Sequence, residues 1–348
     1  MPEENRQKKE PSFVKKVWIV GLIFSLIATT LLIFEATFDM VILVLAGALI
    51  ACYFRGLSEL IQKKLDWNST VSLAISVIGS FLIIGGIFFL IGATVSSQAE
   101  QMQESIPELL DKAEQKLHAS AVGQEIIQQV RNIKTSDEFS TFISDFFETT
   151  LGGITNIYIV ILIGIFFTVA PTIYVDGIIQ LVPPKNRDKA GALMHRLGSG
   201  LKRWLAGKFI AMLAVFILTA VGLVILDIPM WLTLAVLAGL LNFIPNFGPL
   251  ASALPALLVG LADGLNTALL IAGLYVVIQV FESSFITPKA QQRLIQIPPA
   301  LIILAQVFVG ALTGIWGIIF ATPLVLIIII IVEELYVKPM NKESEVEG

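Results

Sequence analysis

Leu241-Asn242-Phe243-Ile244-Pro245-Asn246-Phe247-Gly248-Pro249 interrupts an apolar run that extends from Pro229 to Leu261. A straight helix over that run would reach roughly 50 Å, against about 30 Å of hydrocarbon in a bilayer. Pro245 lacks a backbone N–H and Gly248 tolerates a turn, so the run reads as two half-helices joined by a polar tip. A second run, Pro299 to Val332, is similarly long and is broken by Gly310-Ala311-Leu312-Thr313-Gly314-Ile315-Trp316-Gly317, with Pro323 beyond. The fold class that follows is all-α: a polytopic membrane bundle with two re-entrant helical hairpins (229–261, 299–332) and an extracytoplasmic helical module. Two kinked through-spanning helices are the alternative. The loop carrying Lys289 and Arg293 falls on the cytoplasmic side only if both runs are hairpins, as the positive-inside rule prefers.

The composition supports a membrane protein. Hydrophobic residues make up 56% of the chain and charged residues 14%, with a mean hydropathy of +0.84. A soluble domain carries roughly 25% charged residues, so this chain has too little polar surface to cover itself in water. The single cysteine, Cys52, sits in an apolar run and excludes a disulfide framework or a cysteine-based metal site.

Outward from the two broken runs, the chain divides by polarity. Residues 1–16 form a charged tail. The region 17–95 holds three transmembrane helices: Val17 to Phe34, a return from Met40 to Phe54 after a turn at Glu35–Asp39, and, beyond a basic loop with Arg55, Lys63 and Lys64, a third from about Val71 to Val95. The region 96–150 is an amphipathic module, with Ser105-x-x-Glu108 and Pro107 reading as the start of a helix. Phe139, Phe142, Ile143, Phe146 and Phe147 mark its second amphipathic stretch. The region 151–208 holds a fourth span, Ile154 to Tyr174, and a basic loop with Lys185, Arg187, Lys189, Arg196, Lys202, Arg203 and Lys208. The region 209–336 is the transport region, and 337–348 is a tail. Ten acidic residues against four basic ones put the 96–150 module outside, and the basic loops put both termini in the cytoplasm. Lys202 and Arg203 read as topogenic and lipid-facing, not as a nucleic-acid surface.

Polar side chains inside apolar segments are functional candidates, because burying them in hydrocarbon is costly. Asn242, Asn246, Gln279, Glu282, Gln306 and Thr313 meet that description. Gln279 and Glu282 are three apart and share a helix face. Pro245, Gly248 and Pro249 shape the first tip, and Gly314 and Gly317 the second. Half-helix ends at membrane depth present free N–H and C=O groups, which suits a small polar solute or a cation. The two runs also echo one another at an offset of 69 residues: Ile228-Pro229 with Ile297-Pro298, and Gly248 with Gly317. This is the pattern of an inverted repeat, though a Gly- and Pro-rich apolar chain also produces such matches by chance.

No phosphate-binding G-x-x-x-x-G-K-[ST] motif, nucleophile elbow or H-E-x-x-H motif occurs, so neither ATP-driven transport by this chain alone nor an enzyme is indicated, and no cofactor is called for.

The stretch from Leu201 to Val332 resembles the AI-2E family of bacterial transporters, named for export of autoinducer-2. The resemblance rests on Leu201-Lys202-Arg203-Trp204-Leu205-Ala206-Gly207-Lys208, the Asn242–Pro249 tip, the Glu282–Pro288 run and the Gly314–Pro323 run. Ser283 and Ser284 depart from the family pattern, which often has Asn after the Glu. The N-terminal half matches in layout only. The resemblance implies two helical hairpins forming the substrate region, an elevator-like cycle, a pentameric homo-oligomer and a bacterial inner-membrane location. It equally implies a functionally mixed family, some of whose members are sodium(lithium)/proton antiporters. A non-transporting membrane scaffold is the remaining alternative.

Overall fold

The computed structural model describes residues 13–117, 154–290 and 297–341. Among these the chain is helical throughout, apart from turns. Two long helices come first, α1 (Phe13–Leu65) and α2 (Ser69–Leu117). They are followed by α3 (Ile154–Val169) and α4 (Pro171–Gln180), then by α5 (Arg187–Ile225). The broken run becomes α6 (Trp231–Leu241) and α7 (Phe247–Asp263), and α8 (Leu265–Phe281) follows. The last long element is α9 (Pro299–Val332). Among the described residues, five helical stretches are long and apolar enough to cross a bilayer, or six if the bent pair α3–α4 counts as one. Exposed apolar side chains such as Phe81, Leu82 and Phe89 would face lipid.

Four sequence expectations are corrected here. The turn at Glu35–Asp39 is absent, because α1 runs through it. Glu35-Ala36-Thr37-Phe38-Asp39 contains no Gly or Pro, so nothing in it breaks a helix. One crossing is thereby lost from the count that put the N-terminal tail beside the Arg55 loop. Likewise no helix begins at Ser105, since α2 continues unbroken to Leu117; Ser96 to Glu104 also lacks Gly and Pro. The phenylalanine stretch 139–147 lies outside the described residues. The fourth span does not reach Tyr174. It breaks at Ala170 (φ −131°, ψ 60°), and α4 departs at 84°. Pro171 disfavours the α conformation at the residue before it and cannot donate to the preceding turn. Finally, the basic stretch is no loop: Arg187 to Lys208 is the first half of α5.

The described residues pack as two main cores that share α5, with a smaller cluster of Val215, Ala238 and Ile278 joining α5, α6 and α8. One joins α1, α3, α5 and α9 through Leu45, Leu49, Trp204, Phe320 and Leu326. Gly47 faces Ile163 and Gly164 faces Ile50, so α1 and α3 approach at small residues, as interfaces between membrane helices often do. The other core joins the far end of α5 to the broken run and α8 through Leu223, Leu234, Val259 and Ile271. α2 lies along α1 by a serine stripe, Ser72, Ser76 and Ser80, with the Tyr53 hydroxyl 3.0 Å from Ser80 Oγ. It also reaches α6, where Gln98 Oε1 accepts from Thr233 N (3.2 Å) and Thr233 Oγ1 (2.9 Å). That side chain therefore satisfies one of the free N–H groups in the first turn of α6.

Arg55, which the sequence placed in a loop, lies inside α1. Its Nε donates to the carbonyl of Thr168 at 2.9 Å, two residues before the break. A cation on the last carbonyls of a helix is favourable, and here it holds the end of α3 where Pro171 stops the chain. Arg55→Ala should therefore lower stability by about 1–3 kcal/mol, read from thermal or denaturant unfolding in detergent. Exchange of the exposed Leu60 for Ala should leave the transition in place.

Candidate functional site

The first tip is built from short turns. Asn242 N donates to Ala238 O, Phe243 N to Leu240 O, and Ile244 N to Leu241 O, which tightens the end of α6. Phe247 N then donates to Pro245 O at 2.8 Å across Asn246, whose φ of 66° and ψ of −52° make a γ-turn of the rare, strained hand. After this turn the chain runs back. At Gly248 a β-carbon would overlap the carbonyl of Leu241, so only glycine lets the returning half-helix start so close to the one before it.

The second run does the same inside α9. Thr313 (φ −130°, ψ 16°) and Gly314 (φ 61°, ψ −142°) leave helical geometry. The contacts around them show a reversal, not a mild kink. A β-carbon at Gly317 would overlap the carbonyl of Val309, and one at Gly310 would lie 2.6 Å from Ile318 Cγ1. In a straight helix residues eight apart are separated by about 12 Å. Residues 309 and 310 before the break thus lie against residues 317 and 318 after it, inside the helical stretch Pro299–Asn341. Gly248 and Gly317, matched in the sequence at an offset of 69, make the same glycine-on-carbonyl contact.

One buried side chain ties the two broken runs together. Gln306, fully buried in the first half of α9, donates from Nε2 to the carbonyl of Pro245 at 2.9 Å. The Asn246 amide makes a long 3.5 Å contact to Gln306 Oε1. Phe243 packs edge-on against Trp204 of α5, with ring centroids 5.8 Å apart. Asn242 is 2% exposed, and its Nδ2 has no hydrogen-bond partner among the described residues. A buried amide with a free donor costs about 1–3 kcal/mol unless something fills it. Pro249 is half-buried and its carbonyl accepts from Ser252 Oγ at 3.0 Å. Thr313 Oγ1 donates to Val309 O in its own helix, and no hydrogen bond among the described residues joins the Thr313 turn to the Asn246 turn.

Gln279 and Glu282 form a second cluster. α8 ends in a π-turn, Glu282–Ile286, in which Thr287 N donates to Glu282 O. That wider turn stacks residues five apart, so Thr287 Oγ1 reaches Glu282 Oε1 at 2.6 Å, while Gln279 Nε2 donates to Oε2 at 3.3 Å. Glu282 is 6% exposed. Ser283 is exposed and turns back to Val280 O, so it has no part in the cluster. Thr287 was missed in the sequence, as was the buried Lys208 of α5, the helix against which the π-turn packs. Both could have been found. Lys208 lies on the stripe Trp204, Lys208, Ala211, Val215, Thr219, Leu223, which repeats every three to four residues and is buried throughout. A proline stands six residues after Glu282, and its ring displaces the carbonyl four residues back.

Two broken apolar runs thus meet at a buried glutamine inside a multi-pass helical membrane protein, and the family it matches is one of transport proteins, not enzymes. The chain belongs to the AI-2E family transporters, whose family model matches residues 20–337. It is 24% identical over 290 residues to MT0215 of Mycobacterium tuberculosis (strain CDC 1551 / Oshkosh), a candidate transport protein, with 77% of each chain covered. It is 21% identical over 285 residues to TqsA of Escherichia coli (strain K12), an AI-2 transport protein, covering 80% of this chain and 82% of TqsA. A match at 25% identity to the candidate transport protein YrrI of Bacillus subtilis (strain 168) covers 52% of this chain and about half, 54%, of that relative.

Two substitutions test the reversals directly. Gly314→Ala should cost about 1–2 kcal/mol for a non-glycine at positive φ, and Gly317→Ala more, because it meets backbone. Unfolding in detergent, with the 70%-exposed Leu250→Ala as reference, reads both. Wild-type transitions in the glycine variants would contradict the geometry.

Proposed function

We propose that the chain is a secondary transporter that exports a small polar solute such as autoinducer-2. In this reading the two doubled runs are re-entrant hairpins, entering from opposite faces of a bacterial inner membrane, and they move together in an elevator-like cycle. The observation that carries it is the Gln306 hydrogen bond to the Pro245 carbonyl. It joins the two runs at a tip that holds a strained Asn246 and an unfilled Asn242 amide. Backbone strain and unfilled buried donors both concentrate where a ligand completes a site. The substrate groups are then Asn242, Asn246 and Gln306, shaped by Pro245, Gly248 and Pro249. Thr313, Gly314 and Gly317 set the second turn, and Gln279 with Glu282 lies at the edge. The name of TqsA supports autoinducer-2 as the first solute to try. The basic end of α5 faces the cytoplasm with the C-terminal tail, and the transporter assembles as a homo-oligomer, a pentamer by analogy with the family.

A second reading, a sodium(lithium)/proton antiporter, is favoured by Glu282, a carboxylate 6% exposed between apolar helices. A solute exporter and an antiporter differ in what crosses. Proteoliposomes loaded with autoinducer-2 should release it, and Gln306→Leu or Asn246→Ala should slow release at least tenfold. Release at the wild-type rate in both variants would overturn the tip as the solute site, and sodium-driven proton flux without solute release would favour the antiporter.

A further inference from the structure

We propose that α4 lies along the membrane surface as an interfacial helix, with its free apolar face among the acyl chains, and that Lys185 and Lys189 just beyond it take the headgroups of anionic phospholipids. The inference adds a lipid-binding surface and does not rest on the reading of the two tips.

The break after α3 gives α4 its position. The 16 residues of α3 cover roughly 24 Å of the ~30 Å hydrocarbon layer. α4 then departs at 84°, so a helix that crosses the bilayer is followed by one that runs nearly along its surface. Pro171 and the Arg55 bond to the Thr168 carbonyl hold the bend in place. Across it the Tyr174 ring stands edge-on to Phe167, with centroids 4.6 Å apart. Tyrosine is a residue that membrane proteins place at this depth, because its ring is apolar and its hydroxyl is wet.

The side chains of α4 fall into three stripes. Pro171, Val175 and Ile179, each four apart, are half-buried, and Ile179 Cδ1 lies 3.8 Å from where a β-carbon of Gly191 on α5 would stand. Thr172, Asp176 and Gln180, also four apart, form an exposed polar stripe. Ile173, Tyr174, Ile178 and Leu181 make up the third, and all are exposed, Ile173 by 70% and Leu181 by 86%. Tyr174, Ile178 and Leu181 share one face by their spacing of four and three. No residue of α4 is buried by the rest of the chain. An amphipathic helix parallel to the membrane sinks such a face into the boundary between headgroups and acyl chains. The polar stripe on its far side keeps it from going deeper.

The charges beyond α4 select the lipid. Lys185, Arg187 and Lys189 follow within nine residues of its end, with Asp188 among them. Arg187 is already engaged: its Nε and Nη2 donate to the carbonyls of Val182 (3.2 Å) and Gln180 (3.3 Å), which offsets the negative end of α4. Lys185 and Lys189 are exposed and make no hydrogen bond or ion pair among the described residues. Ammonium groups beside a face held at the acyl boundary stand at headgroup depth, where lipid phosphates complement them. A two-fold contact of α4 with a second copy would instead set these lysines against each other.

The test uses the full chain with Cys52→Ser, reconstituted in vesicles of equal parts phosphatidylcholine and phosphatidylglycerol. A bimane label is placed in turn at Asp176→Cys, Ile178→Cys and Leu181→Cys, all exposed positions. Labels at 178 and 181 should be quenched by phospholipids brominated in their acyl chains and shielded from aqueous acrylamide, and the label at 176 should behave in the opposite way. At 181, brominated phosphatidylglycerol should quench more strongly than brominated phosphatidylcholine. That preference should fall about fivefold in K185Q, the equivalent of about 1 kcal/mol for a lysine at an anionic surface, and vanish in K185Q/K189Q while quenching by phosphatidylcholine persists. Acrylamide quenching at 178 and 181 equal to that at 176 would overturn the interfacial placement. Shielding of 178 and 181 from both quenchers would show a second copy on this face and overturn it as well. Equal quenching by the two brominated lipids would overturn the role of the lysines.

Discussion

At Gly248 and Gly317 the backbone of a returning half-helix lies against the carbonyl of the half-helix before it, Leu241 in one case and Val309 in the other. No side chain fits between them. The rest of the transport half follows from that closeness. It brings the Pro245 carbonyl to the level of Gln306, and Gln306 can be fully buried only because its amide finds that carbonyl. It also leaves too few residues for a relaxed turn. Asn246 takes a strained γ-turn, and Gly314 takes a positive φ that other residues avoid.

α5 is the wall against which these parts are arranged. It contributes to both cores, and its basic residues meet two π-turns that share a sequence form, a Glu followed six residues later by Pro: Glu282 with Pro288 and Glu333 with Pro339. The second brings Glu333 and Glu334 to Arg196 of α5, and the first, which buries Glu282, packs against the same helix, on which Lys208 is buried. The outer of these contacts is a half-exposed ion network of modest energy, as such pairs are. The inner one is buried. A single helix thus holds an anchoring ion network at its start and a buried lysine at the edge of its apolar part.

The two broken runs were legible in the sequence because their length and their Pro and Gly residues oppose a straight helix on simple geometric grounds. Gln306 and Glu282 were legible as polar residues among apolar ones. Thr287 was hidden because sequence periodicity assumes 3.6 residues per turn, and only a π-turn aligns it with Glu282. Lys208 was hidden by its neighbours: beside Lys202 and Arg203 it read as one more residue of a basic loop, although its spacing from Trp204 and Ala211 places it on a buried stripe. The Glu35–Asp39 turn was inferred from charge alone, and charge without a helix breaker did not interrupt α1.

The doubling of α9 is the claim on which the site depends, and a single distance tests it. Spin labels at Ile303→Cys and Ile328→Cys, both partly exposed, with Cys52→Ser as background, can be placed in the full chain in liposomes. A straight helix would hold these positions about 38 Å apart. Packed half-helices, whose axes lie about 8–10 Å apart, should bring the labels within about 20 Å. A pulsed-resonance distance near the shorter value is the predicted result, and one near the longer value would contradict the reversal at Thr313–Gly314.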